Sequence, residues 1–195
     1  MSRHSALRSA TRLVPAAVVA TLLAGCGFQL RGAPPVSSAL EPLAVDCSSQ
    51  VPETLCRSLR EQLGLGNVRL APVADADYIL RLKNFERDRR ASAITAQAAA
   101  AEYTLRHSVE LEVISADRVP MVATTRLNTS ESYRYDATNV LARQREEETL
   151  RQQMDDRLAQ QVIFRLAPLT PQRIEAIRSE YQRKQEADAP ATGQP

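Results

Sequence analysis

The feature that most restricts how this chain can fold is an uninterrupted alternation of apolar and polar residues over positions 103–113. Successive side chains of a β-strand point to opposite faces, so this pattern places one set of side chains against a core. That apolar set is Tyr103, Leu105, His107, Val109, Leu111 and Val113. A polar turn at 115–118 and a second alternating segment at 119–135 follow. Together they predict a long antiparallel hairpin with one covered face.

Two segments with helical periodicity supply a cover for that face. One follows a Ser- and Pro-containing helix start at 48–53 and places Leu55, Leu59 and Leu63 on a single side. The other spans 137–167 and ends before Pro168. It repeats an apolar residue at every fourth position: Leu150, Met154, Leu158, Val162 and Leu166. Both helices are therefore predicted to pack on the sheet.

Short segments at 43–47 and 77–86 add two strands to the hairpin. The predicted fold class is α+β: a single domain with a sheet of about four, mostly antiparallel strands and two main helices packed on one face. This domain is expected to span residues 43–185, with a further helical piece opening after Thr170. Residues 186–195 have the composition of a disordered tail.

The first 25 residues are typical of a bacterial export signal. Three arginines precede an apolar run, Leu13–Leu23, which is too short to span a bilayer, where about 20 residues would be needed. The run ends in Leu23-Ala24-Gly25-Cys26, the pattern of a lipobox. Residues 1–25 are therefore predicted to be cleaved and Cys26 to carry a thioether-linked diacylglycerol. The alternative is an ordinary cleaved signal followed by an incidental cysteine.

Acylation of Cys26 would hold the protein on a membrane, because each buried CH₂ contributes roughly 0.8 kcal/mol. The next residue is Gly27 rather than aspartate, which favours the outer membrane. Residues 26–42, rich in Pro and Gly, are predicted to form a lipidated tether. The signal carries three arginines and no acid. Its removal therefore brings a chain of formal net charge +2 close to neutrality.

The two other cysteines, Cys47 and Cys56, belong to a protein that is predicted to be exported. Disulfides persist outside the cytoplasm. The two residues are therefore predicted to form a disulfide that joins the end of a strand to the start of a helix. The alternative is a pair of free, buried thiols.

Motifs of catalysis are absent from the sequence, which has no Gly-x-Ser-x-Gly, no His-Glu-x-x-His and no glycine-rich phosphate loop. The single histidine of the mature chain, His107, is expected to be packed or hydrogen-bonded. The carboxylate runs at 146–148 and 155–156 are expected on solvated helix surfaces. Low aromatic content and near-balanced charge argue against a nucleic-acid partner. We expect no enzyme, no metal site and no cofactor beyond the covalent lipid on Cys26.

Residues 87–101 begin with Arg87-Asp88-Arg89-Arg90 and continue with small side chains. They are predicted to form a loop longer than the usual hairpin link. Arginine binds phosphate through two parallel hydrogen bonds, so the loop is a candidate site for a lipid headgroup. A solvated, mobile loop is the alternative. Arg126, Arg134 and Arg143 are expected to extend the same positive end of the sheet.

The segment Cys26-Gly27-Phe28-Gln29-Leu30-Arg31-Gly32 resembles the start of the mature lipopolysaccharide-assembly lipoproteins, the LptE (RlpB) family. The resemblance continues through Ala101-Glu102-Tyr103 and through the order of strands and helices to about Leu166. It implies a non-enzymatic lipoprotein that is anchored in the outer membrane and faces the periplasm. Such a protein plugs the lumen of the outer-membrane β-barrel LptD, helps that barrel to assemble and binds lipopolysaccharide.

The resemblance also implies candidate ligand residues. One basic position proposed to contact lipopolysaccharide in the family corresponds to Arg143. The other falls near Ala96, where this chain has lost the charge, and Arg89 and Arg90 are the candidates to replace it. The alternative function is a generic outer-membrane lipoprotein scaffold, or an accessory factor for another envelope β-barrel complex, without a lipid ligand.

Overall fold

The computed structural model describes residues 36–96, 100–134 and 140–188. In chain order the elements are β1 (Leu43–Cys47), α1 (Glu53–Leu65), β2 (Tyr78–Ile94), β3 (Ala100–Ser115), β4 (Pro120–Arg134), α2 (Val140–Leu166) and α3 (Pro171–Asp188). The predicted α+β class and the four-stranded sheet are confirmed. A third helix joins the two main ones, and it continues to Asp188, past the predicted domain boundary at residue 185. Within the described ranges, no helix has the length and apolarity needed to cross a membrane.

The strands lie in chain order, β1-β2-β3-β4. β1 runs parallel to β2, whereas the β2–β3 and β3–β4 pairs are antiparallel. Leu43 lies opposite Tyr78, which in turn lies opposite Ser115. We call this end of the sheet, where the chain first joins it, the entry end. The opposite end, at Ile94 and Arg134, is the far end.

The alternation over 103–113 predicts one buried face, and the structure confirms it. Leu105, Val109, Leu111 and Val113 are fully buried on the face that carries the helices, which we call the inner face. The predicted helix positions Leu55, Leu59, Leu63, Leu158, Val162 and Leu166 are buried with them. Each such side chain contributes about 1.5–3 kcal/mol on burial. The opposite, polar side of the sheet is called the outer face.

A polar group lies within this core. The ring of His107 is fully buried, and its Nδ1 is 3.0 Å from Oδ1 of Asp155. The Thr54 hydroxyl donates to the second oxygen of Asp155 at 2.6 Å. The expectation of a packed, hydrogen-bonded histidine is confirmed, but the solvated position expected for Asp155 is wrong. The helix phase that buries Met154 and Leu158 also buries Asp155, whose oxygens find polar partners there.

β2 is longer than the sequence predicts. The sequence predicts that this strand ends at residue 86 and that a loop spans residues 87–101. Instead, β2 continues to Ile94 and pairs with β3 as far as Ala100. The prediction of a loop at Arg87–Arg90 is therefore wrong. Backbone hydrogen bonds to the regular strand β3 hold this part of β2 in place, so it forms a strand without an apolar alternation of its own.

A disulfide joins Cys47, the last residue of β1, to Cys56 in α1. The two residues are separated by nine positions, and Cys56 is buried in the main core. The bond ties the shortest strand to the helix that covers it.

Removing this disulfide with the double substitution Cys47→Ser and Cys56→Ser is expected to lower the free energy of unfolding by about 2–3 kcal/mol, the loop-closure value for a short loop. Urea denaturation with and without reductant measures this change in the free energy of unfolding. Reductant should destabilise the wild-type protein and leave the double variant unchanged. Alkylation of both thiols in the folded, non-reduced protein would contradict the bond.

Asp155→Ala is expected to lower the free energy of unfolding by about 2–5 kcal/mol, because it removes the hydrogen-bond partner of the buried His107 imidazole and of the half-buried Thr54 hydroxyl. The matched control is Asp156→Ala, since Asp156 is exposed and accepts one hydrogen bond from Ser58. We expect that variant to lose about 1 kcal/mol. Chemical denaturation compares the two, and equal losses would show that the buried group does not stabilise the fold.

Candidate functional site

Arg89 lies toward the far end of the sheet, on the inner face. It is opposite Leu105 in the β2–β3 ladder, so the two side chains share a face. Its guanidinium carbon is 3.8 Å from the ring centre of Tyr103 and 6.0 Å from that of Tyr133. The two rings stack on each other with centres 6.0 Å apart. Arg89 therefore rests on an aromatic platform that attracts its positive charge.

Glu147, on α2, faces this platform. It accepts a 2.8 Å hydrogen bond from the Tyr133 hydroxyl, lies 4.0 Å from Nε of Arg89 and forms an ion pair with Arg151. Burial of the ring and the bond to Glu147 raise the pKa of Tyr133 to about 12, so its hydroxyl stays protonated and donates. The expectation that the run 146–148 is solvated is wrong for Glu147, whose side chain is only 12% exposed.

Arg143 precedes Glu147 by four residues on α2. Residues at this spacing lie on the same side of a helix, one turn apart. Glu147 reaches Tyr133 near the end of β4, so the first turns of α2 lie at the far end. Arg143 and Arg89 therefore belong to the same side of the same end of the domain.

The structure separates Arg90 from these residues. Neighbouring residues of a strand point to opposite faces, and Arg90 lies opposite Thr104 on the outer face. Its Nε is 2.6 Å from a carboxylate oxygen of Asp88. Of the two candidates to replace the lost charge, only Arg89 shares a side with Arg143.

Paired charges cover the outer face. Arg81 on β2 reaches Asp46 on β1 at 3.1 Å, and Lys83 reaches Glu112 on β3 at 2.8 Å. The hydrogen bond from Lys83 also lowers the pKa of Glu112 and keeps its carboxylate ionised. These pairs cross from strand to strand and so link neighbouring strands on this face.

Further cross-strand contacts lie toward the far end. Arg126 on β4 is 2.7 Å from Glu86 on β2, and the hydroxyls of Thr104 and Ser132 are 2.8 Å apart. The expectation that Arg126 extends a positive end with Arg143 is therefore wrong, because Arg126 lies on the outer face and is neutralised there. A small cluster of buried apolar residues occupies this face at the entry end: Ala44, Ala76 and Ile79.

Sequence reasoning missed the parts that hold Arg89. Tyr103 and Tyr133 are direct partners in the β3–β4 ladder. Counting outward from the predicted turn at 115–118 would place Tyr103 opposite residue 130 instead, because the ladder shifts register between Leu111 and Ile114, close to the turn. Glu147 has no signal in the sequence either. The run 146–148 contains three identical acids, and only the packing of α2 on the sheet decides which one turns inward.

The described ranges contain no group of three His, Cys, Asp or Glu side chains placed to hold a metal ion. Cys26 and the predicted signal lie outside those ranges, so acylation stays a prediction. At the far end, Arg89 thus lies on an aromatic platform and faces Glu147, and Arg143 lies on the same side of that end. Guanidinium groups bind anionic groups such as phosphate.

Solved structures of three bacterial lipoproteins share this fold. A minor lipoprotein from Acinetobacter baumannii aligns with a TM-score of 0.55 and 23% identity, covering 65% of this chain and 90% of that chain. Rare lipoprotein B from Shewanella oneidensis aligns with a TM-score of 0.54 and 24% identity, covering 72% of this chain and 98% of that chain. An uncharacterized lipoprotein B from Nitrosomonas europaea aligns with a TM-score of 0.60 and 17% identity, covering 72% of this chain and 90% of that chain. At these identities the likeness shows the fold alone.

Sequence relatives are more informative. The LPS-assembly lipoprotein LptE of Photorhabdus laumondii is 32% identical over 165 residues, which are 84% of this chain and 86% of that protein. The protein of the same name from Yersinia enterocolitica is 33% identical over 147 residues, 73% and 69% of the two chains. The family described as "LptE: Lipopolysaccharide-assembly" matches residues 40–166, from just before β1 to the end of α2. The chain therefore belongs to the LptE family of lipopolysaccharide-assembly lipoproteins.

Proposed function

We propose that this protein is anchored in the outer membrane by a lipid on Cys26 and faces the periplasm. In this proposal it occupies the lumen of the LptD β-barrel, helps that barrel to assemble, and binds lipopolysaccharide during its insertion into the outer leaflet. Membership of the LptE family supports the role in lipopolysaccharide assembly. The role is non-enzymatic, since the domain supplies a shaped plug and charged surfaces rather than a reaction.

The buried histidine supports this non-enzymatic role. A hydrolase of the triad type needs a nucleophilic hydroxyl within hydrogen-bond reach of an imidazole. Here the Thr54 hydroxyl donates to Asp155 rather than to His107. His107 is also fully enclosed, so a substrate has no access to it. The three residues serve the packing of the helices on the sheet.

The observation that carries the proposed position in the barrel is the outer face. Interior walls of large β-barrels are polar. Most of the ion pairs on the outer face join neighbouring strands, as in the Arg81–Asp46 and Arg126–Glu86 pairs. Such pairing lowers the cost of placing this face against a polar wall, because a buried unpaired charge is costly. The helices on the inner face keep the apolar core away from that wall.

A photo-crosslinking amino acid in place of Ser130, on the outer face of β4, tests this position. In intact membranes it is expected to capture a large outer-membrane β-barrel, LptD, in a complex that survives detergent extraction. Capture of a soluble periplasmic protein alone, or of a different barrel, would instead favour the scaffold or accessory role.

For lipopolysaccharide we propose Arg89 and Arg143 as the binding residues. Lipid A carries phosphate groups, and a planar guanidinium binds phosphate through two parallel hydrogen bonds. The contact with Tyr103 holds the guanidinium of Arg89 at 3.8 Å from the ring centre. A side chain held in this way loses less conformational entropy when it binds. Arg90, on the other face, provides the comparison.

The double charge reversal Arg89→Glu with Arg143→Glu is expected to weaken lipopolysaccharide binding by about tenfold or more, since a hydrogen bond to a charged group contributes about 1.5–3 kcal/mol. The measurement is displacement of labelled lipopolysaccharide from the purified protein. The matched control is Arg90→Glu with Arg143→Glu, which keeps Arg89. It should bind lipopolysaccharide more tightly than the Arg89→Glu, Arg143→Glu variant does.

Arg89→Lys with wild-type Arg143 separates charge from shape, because lysine keeps the charge without the planar fork. We expect an intermediate affinity. Thermal unfolding of every variant shows whether the domain stays folded. Wild-type affinity in a folded Arg89→Glu, Arg143→Glu protein would remove both residues from the site.

A further inference from the structure

Large apolar side chains that remain exposed in the described residues gather at the two ends of the domain. At the entry end they are Leu65, Leu70, Val73 and Phe164, and at the far end Ile94 and Leu141. Leu70 belongs to the entry end because it bridges to Leu43 at the start of β1. Phe164 belongs there because it lies beside Met121 and Val122 at the start of β4. Most of the exposed apolar surface therefore points away from the candidate ligand site.

Phe164 forms one wall of a groove between α2, α3 and the start of β4, which we call the entry groove. Its apolar lining also contains Met121, Val122, Leu169 and Ile177. Arg165 and Arg173 flank the groove, and neither is ion-paired with a residue in the ranges that the structure describes. Glu175 follows Arg173 by two positions on α3 and so points to a different side of that helix.

The entry groove lies at the end of the domain that is connected to Cys26. About 17 residues separate Cys26 from Leu43, a span of at most about 60 Å when fully extended. The exposed acids Asp75 and Asp77 also lie at this end, but beside β1, at the opposite edge of the sheet from β4. The groove side of the entry end thus combines apolar residues with two unpaired positive charges.

We propose that the entry groove is a membrane-contacting surface for anionic phospholipids. Arg165 and Arg173 bind headgroup phosphates, while Phe164 enters the boundary between headgroups and acyl chains. Arginine suits this position because its stem lies along apolar surface while its charged end reaches phosphate. Basic residues near an anionic leaflet and an inserted aromatic ring reinforce each other.

The inference rests on the proposed acylation of Cys26, which brings a bilayer within reach of the entry end. It adds a second, reversible contact to that permanent one. The contact would fix which end of the domain faces the lipid surface, whereas a covalent anchor at one residue does not by itself set that orientation.

The test uses the mature, acylated protein in vesicles of phosphatidylethanolamine with phosphatidylglycerol, compared with phosphatidylcholine vesicles. An environment-sensitive fluorophore is attached through Phe164→Cys. The thioether at Cys26 and the Cys47–Cys56 disulfide leave the introduced thiol as the reactive one. The matched control is Ile94→Cys, because Ile94 is 69% exposed at the far end. Nitroxide-labelled lipids report the depth of the label.

We expect a blue shift and quenching at position 164 in the phosphatidylglycerol vesicles, and neither at position 94. Arg165→Glu with Arg173→Glu should lower the equilibrium constant for contact between the groove and the membrane by roughly 30-fold or more, given about 1 kcal/mol for each basic residue lost. Vesicle flotation should be unchanged in that variant, because the anchor is intact. A circular dichroism spectrum matching that of the parent shows that it is folded.

Equal quenching at positions 164 and 94 in a protein that floats with the vesicles would overturn the membrane contact and leave the anchor intact. Quenching that survives the double charge reversal would overturn the role of the arginines. Capture of the barrel by a crosslinker at Phe164 in place of lipid quenching would assign the groove to protein and overturn the proposal. Loss of flotation, with an unacylated mass, would instead refute the proposed anchor. Quenching at position 164 would then still decide whether the groove binds lipid.

Discussion

When helices cover only one face of a sheet, the polar and charged side chains of the other face have to find partners within that face or in solvent. In this domain the inner face is apolar and is buried under α1 and α2, which stabilises the fold. The outer face has no covering layer in the described part of the chain. Its charges therefore meet one another across strands, as Lys83 meets Glu112 and Arg126 meets Glu86. One alternating pattern thus produces both the stability of the domain and a polar surface suited to a polar partner.

The periodic parts of the fold are predictable because their burial follows a simple repeat. Strand β3, the β3–β4 hairpin and the buried faces of α1 and α2 follow directly from the spacing of Val109, Leu59, Leu158 and their neighbours. The second half of β2 is not predictable in this way, because its pairing with β3 depends on the backbone and not on its side chains. Asp155 and Glu147 are also missed, since partners distant in sequence stabilise each of them.

The candidate site shows the same division between local and distant information. The resemblance to a family is sufficient to name Arg143, Arg89 and Arg90. It does not distinguish Arg89 from Arg90. Which of the two faces the helices depends on the alternation of side chains along the second half of β2, and the sequence of that segment does not predict a strand. Once β2 extends to Ile94, the alternation of faces assigns Arg89 to the helix side and Arg90 to the outer face. The tyrosine pair and Glu147 then explain why Arg89 has a defined position.

The unequal lengths of the first two strands have a consequence for how copies of this protein meet one another. β1 has five residues and β2 has 17, so β2 beyond Leu82 has no strand on that side within the described ranges. A bare strand edge can pair with the same edge of another molecule and begin an aggregate. The charged run Arg87–Arg90 lies along this edge and opposes such self-pairing. The charged residues that interrupt the apolar alternation of this strand thus also oppose its pairing with the strand of another copy.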